Sequence, residues 1–108
     1  MLLTKIDEEC GFTPVCVSHD SEISGCYAGD LLSWVMSHAE CGNIWVTIMS
    51  NINVIAVADL CDVACVVIAE GVEIDDDLQA LALEKQVNIY KDNRSVYEIC
   101  AAISDKLK

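Results

Sequence analysis

Seven cysteines, two histidines and a few clusters of small polar residues are the groups in this 108-residue sequence that can do chemistry. A structural zinc site needs four thiolates or imidazoles in a tetrahedron. Cys61 and Cys65 stand at i, i+4, and His38 lies close to Cys41. Each is only a pair, Asp62 and a following apolar run interrupt any helix joining the first two, and no Cys-x-x-Cys is present. An iron–sulfur cluster would need four placed thiolates. The cysteines are odd in number and scattered, which does not suit a disulfide framework. Cys16, Cys65 and Cys100 sit in apolar runs, where a reduced cysteine acts as a small hydrophobe. No metal and no cofactor are expected. A redox role for the thiols, through Cys26 and Cys41, is an alternative.

The stretch "SGCYAGD" (24–30) places Gly25 and Gly29 around a turn that leads into a helix. Helix N-termini attract anions. However, neither G-x-G-x-x-G nor a loop ending in Gly-Lys-Ser/Thr is present, and Asp30 would repel a phosphate while capping the helix itself. A neutral polar ligand is better suited. Ligands of open α/β sheets bind beyond the carboxyl ends of the strands. Thr47, Ser50 and Asn53, together with Asn51, follow such an end, and Tyr27 and Asp30 end the preceding extended piece. Tyr27, Asp30, Thr47, Ser50 and Asn53 are therefore the candidate ligand residues, with Ser50 or Asn51 alternatively capping a helix. His19, His38 and the carboxylates Asp59, Asp62 and Asp75–Asp77 accompany no nucleophile motif, so no catalytic residue is assigned.

The elements that must position these groups alternate in periodicity. Leu2, Leu3, Ile6 and Cys10 form a helical face that Gly11 ends, and "PVCVS" (14–18) and "ISGCYA" (23–28) are extended. Leu31, Leu32, Val35, Met36 and Ala39 form the stripe of a helix over 30–39. "IWVTIM" (44–49) and "ACVVIA" (64–69) are apolar enough for strands covered on both faces. "SNINVIAVADL" is predicted helical because "SNIN" is a poor hairpin turn. Asp75–Asp77 open a helix to residue 86, where the dipole favours acids. "VNIY" is a last strand. Ser95 and Glu98 form a capping box for a final helix carrying Lys106 and Lys108 at its end. Strands alternating with helices predict an α/β fold, with a small, mainly parallel sheet between flanking helices. The length predicts a single domain over 1–108.

The net charge of −12 argues against nucleic-acid binding and against docking on an anionic membrane. No stretch has the length of a membrane span, and the N-terminal residues lack the pattern of a signal peptide, so a cytoplasmic location is expected. Reduced cysteines fit that compartment, and an anaerobic host is a natural extension.

The order of "DSEISGCYAGDLLSWVM", "GNIWVTIMSNINVIAVADL" and "CVVIAEGVEIDDDLQALALEKQVNIY" resembles the DRTGG domain across almost the whole chain. Asp20 matches the Asp of the eponymous stretch and Gly25 its first Gly, whereas Ser21 replaces the Arg and Cys26 the second Gly. The resemblance implies a fold like the N-terminal domain of HPr kinase/phosphorylase, without the kinase domain. It also implies an accessory role, as in phosphotransacetylases and some CBS-containing pyrophosphatases, where the domain can contribute to subunit association. Free-standing copies occur in anaerobes beside iron hydrogenase or other redox genes. The expected function is thus a non-enzymatic regulatory or interaction module, a homodimer or a partner of an enzyme such as an iron hydrogenase. Trp34, off the main helical stripe, is the expected interface anchor. The alternative is a small-molecule sensor for a nucleotide or metabolite.

Overall fold

The computed structural model describes residues 1–107, so Lys108 lies outside the described residues. Helix α1 (Leu3–Cys10) ends at Gly11, whose φ of 76° supplies the left-handed cap. Strand β1 (Thr13–Cys16) and strand β2 (Gly25–Ala28) follow. Then come α2 (Leu32–His38), β3 (Asn43–Thr47), α3 (Asn53–Cys61), β4 (Cys65–Ile68), α4 (Asp76–Lys85), β5 (Ile89–Lys91) and α5 (Val96–Leu107). The strands form one sheet in the order β1-β5-β4-β3-β2. Strands β2 to β5 run parallel, and β1 joins β5 antiparallel with a bulge between Pro14 and Cys16. The α/β fold with a mainly parallel sheet is as the alternating periodicities predict.

Alternate residues of the central strands feed two cores, because successive side chains point to opposite faces. Trp45, Val66, Ile68 and Ile89 pack with Val35 of α2, Val54 and Ala58 of α3, and Leu78 of α4. Ile44, Val46, Cys65, Val67 and Tyr90 pack with Ile6 of α1 and Ile99 and Ile103 of α5. Helices α2, α3 and α4 therefore cover one face, and α1 and α5 the other. Strands β3 and β4 are wholly buried, which explains their unbroken apolar runs.

Several helix ends follow their sequence signals. The Asp75 carboxylate accepts the Leu78 N–H at 2.8 Å as N-cap of α4. Ser95 and Glu98 exchange reciprocal bonds at 3.1 and 3.2 Å. Others differ. Leu2 is exposed and lies before α1, where it bridges to Glu22. Helix α2 is shorter than the 30–39 stripe, and only its Val35 is fully buried. The residue before α3 is Ile52, not Ser50 or Asn51, although Asn51 Oδ1 accepts the Asn53 N–H at 2.9 Å.

Helix α4 closes on Gln86 at φ 57°, a left-handed conformation that strains a residue with a Cβ. Gln86 is exposed. Gln86→Gly should raise the free energy of unfolding by about 0.5–1 kcal/mol in urea titration.

Candidate functional site

The turn after β2 is held by β3. Gly29 N–H donates to the Val46 carbonyl at 3.2 Å, and the Gly29 carbonyl accepts the Trp45 indole N–H at 2.9 Å. A Cβ on Gly29 would meet the Tyr27 ring at 3.2 Å, so this glycine permits a close approach. Asp30 is not the cap of α2: the residue before that helix is Leu31, with no side-chain bond. Instead Asp30 Oδ1 accepts the Thr47 hydroxyl at 2.8 Å and the Ile48 N–H at 3.0 Å. The carboxylate satisfies donors where β3 ends rather than donors of the helix. Thr47 is fully buried and also accepts the Met49 N–H at 3.2 Å.

Of the five candidate ligand residues, Asp30 and Thr47 are thus brought into contact; Asp30 Oδ1 serves the Thr47 hydroxyl and the Ile48 N–H, while its Oδ2 has no hydrogen bond among the described residues. Tyr27 is half-buried on the face covered by α2–α4. Ser50 lies in the loop before α3 and Asn53 is exposed on its first turn. The corner works as a brace between β2 and β3.

Trp34 is 57% exposed on α2, with Leu31 67% exposed and Met36 also exposed. The indole stacks on His38 at 4.2 Å and 14°, and His38 Nδ1 lies 2.9 Å from the Trp34 carbonyl oxygen. Ile48 and Ile52, in the loop between β3 and α3, add further exposed aliphatic surface.

A second region emerges from the topology. Strand β4 leads to α4 on one face of the sheet, while β5 leads to α5 on the other. Where neighbouring parallel strands send their connections to opposite faces, a crevice opens between their carboxyl ends. A cavity of about 500 Å³ lies there, lined by Gly71 to Ile74 after β4, Gln79 of α4, Lys91 and Asn93 at the end of β5, and the start of β1. An adjoining hollow of about 340 Å³ shares Thr13, Lys91 and Asn93 with it and reaches Cys10 and Arg94. Backbone bonds tie the two loops together: Glu70 N–H donates to the Arg94 carbonyl at 2.9 Å, and Gly71 N–H to the Asp92 carbonyl at 3.1 Å. Both Glu70 and Gly71 are left-handed. No local motif marks these residues. The crevice depends on strand order and on which face α5 takes, and neither is written in any one segment.

Beside the crevice, Asp92 takes two bonds from the Arg94 side chain, at 3.0 and 2.7 Å, and one from the Arg94 N–H at 2.9 Å. Arg94 also donates to the Cys10 carbonyl at 2.8 Å, joining α1 to the β5–α5 loop. The side-chain bonds from Arg94 hold the Asp92 carboxyl below its ordinary value. A carboxylate with a lowered folded pKa adds stability above its unfolded pKa and loses it as pH falls through the folded one. Asp92→Asn should therefore cost about 1–2 kcal/mol at pH 7, at the low end because Arg94 remains partly exposed. Urea titrations at pH 7 and below pH 4 should show the gap to the parent protein shrinking in acid.

The thiols do not converge with other ligating groups: among the described residues no three His, Cys, Asp or Glu side chains are grouped to hold a metal. Cys26 and Cys100 of α5 line one shallow hollow, and desolvation pushes the Cys26 thiol up to about 12. The Cys41 thiol donates to Asp62 at 3.3 Å, and that carboxylate raises it. Cys26 and Cys41 thus have other partners than each other, and neither is activated as a thiolate.

No protein-family model matches the sequence, and no curated protein matches it. Among solved structures, the chain is similar to the CBS and DRTGG domains of the regulatory region of Clostridium perfringens pyrophosphatase, complexed with its activator diadenosine tetraphosphate. The TM-score is 0.72 at 9% identity over 94% of this chain. The chain spans 45% of the length of that structure. The shared property is the fold, which is of the DRTGG type that the sequence resembles. No helix among the described residues is long and apolar enough to cross a membrane.

Proposed function

We propose that this chain is a regulatory module that acts by association rather than catalysis, pairing with a second copy or with a partner enzyme. The observation that carries this reading is Trp34, an aromatic side chain left largely exposed on α2 beside Leu31 and Met36. Tryptophan is enriched among the few residues that carry most of the binding energy at interface centres. The regulatory nature of the structural neighbour supports the role, and the resemblance to free-standing DRTGG domains supports a redox enzyme such as an iron hydrogenase as partner. Light scattering of the purified chain should give about twice the 11.8 kDa chain mass. Trp34→Ser should return it to the monomer mass. A parent protein that stays monomeric at high micromolar concentration, and retains no redox enzyme from its host, would overturn the reading.

A second reading, a small-molecule sensor, is favoured by the crevice between β4 and β5. The neighbour's activator is a dinucleotide, and a regulatory region that responds to nucleotides makes a nucleotide the first ligand class to test. Binding to the folded state alone raises the melting temperature with ligand concentration. Thermal-shift titration with nucleotides and common metabolites checks it.

A further inference from the structure

Resting on the sensor reading, we propose that the crevice between the carboxyl ends of β4 and β5 binds a nucleoside or nucleoside monophosphate, and discriminates against polyphosphates.

The crevice has the volume of a ligand site: about 500 Å³ falls within the ordinary range of 300–1,000 Å³. Four aliphatic residues contribute to its lining. Pro14 and Val15 come from the antiparallel strand β1, and Val72 and Ile74 from the β4–α4 loop. Their accessible atoms can give a flat ring dispersion contacts. Two amides stand among them. The Gln79 amide nitrogen donates to the Ile74 carbonyl at 3.3 Å, which leaves its side-chain oxygen free to accept. The Asn93 side chain makes no hydrogen bond among the described residues and sits next to Gly71, where a Cβ would lie 3.0 Å from Asn93 Oδ1. Amides offer the paired donor and acceptor that the edge of a nucleobase requires.

Charge narrows the ligand further. Lys91 lines both hollows and has no ion pair among the described residues, whereas Arg94 is already committed to Asp92. One free ammonium group can meet one phosphate. The loop after β4 and the start of α4 carry Glu70, Glu73, Asp75, Asp76 and Asp77. Of these, Glu73 lines the cavity itself, so a chain of phosphates extending from Lys91 would meet a carboxylate there, on a protein of net charge −12.

Adenosine, AMP, ATP and diadenosine tetraphosphate should be titrated into the intact protein by calorimetry, alongside Lys91→Ala and Asn93→Ala. Both residues are exposed, so both variants should melt with the parent protein when no ligand is added. AMP should bind, and ATP and diadenosine tetraphosphate should bind at least about tenfold more weakly. Lys91→Ala should weaken AMP about tenfold while leaving adenosine unchanged, and Asn93→Ala should weaken both. Tightest binding by the polyphosphates would overturn the ligand class. Nucleotide binding indifferent to both variants would overturn the site and leave the sensor reading in place. No binding by any of the four at millimolar concentration would overturn this proposal, while the sensor reading itself falls only if the wider thermal-shift titration also finds no ligand.

Discussion

Replacing Trp45 with alanine should remove about 3–5 kcal/mol of stability, a large part of the 5–15 kcal/mol that holds a domain of this size folded. Trp45 is fully buried in β3 and packs against Val35, Val54 and the other residues of the α2–α4 face. Its loss empties a large volume that a close-packed sheet cannot collapse to fill. The substitution also deprives the Gly29 carbonyl of its 2.9 Å bond from the indole, so the turn between β2 and α2 loses a brace. Urea unfolding should show a midpoint lowered by about 1 M or more with an unchanged slope. Trp45→Phe keeps most of the ring but not the donor and should cost about half as much or less. A loss below about 1 kcal/mol for the alanine variant would show that the tryptophan does not organise this core.

Asn88→Leu should have the second largest effect, about 2–3 kcal/mol. Asn88 is buried just before β5 and uses both ends of its amide. Its oxygen accepts the Ser18 N–H at 2.8 Å and the His19 N–H at 3.4 Å, and its nitrogen donates to the carbonyls of His19 at 2.9 Å and Ala64 at 3.1 Å. One side chain thereby pins the β1–β2 connection to the strands β4 and β5. Leucine has similar volume and no polar atoms, so the packing survives while the backbone groups lose their partners. Amide hydrogen exchange should quicken at Ser18 and His19 more than in β3 and β4. Uniform acceleration across the sheet would show instead that Asn88 acts through global stability alone.

Much of the fold was legible because its signals are local. The capping box at Ser95 and Glu98, the Asp75 cap and the unbroken apolar runs of β3 and β4 each act within a few residues of the sequence. Asn88 was invisible for the opposite reason: its partners Ser18, His19 and Ala64 are far from it in the chain, and only the folded sheet brings them together. Asp30 misled because an aspartate ahead of a helix normally caps it. Here the ends of β2 and β3 lie side by side, and the buried Thr47 hydroxyl and the Ile48 N–H compete for the carboxylate. The crevice required the most assembly, since its two loops come from strands whose helices leave in opposite directions. Lys91 and Asn93 carry no motif, and nothing in their neighbours in sequence distinguishes them from a solvated strand end.

The two outer strands are unequal. On β1, Pro14 has no N–H to offer, and the bulge beside it breaks the regular spacing of donors and acceptors. On β2, the residues Gly25 to Ala28 carry neither proline nor charge. A sheet with one blunted rim and one receptive rim can be extended on a single side. Two molecules joined there would each present only the blunted rim outward, so growth by strand addition would terminate at a pair and not run on into a fibre.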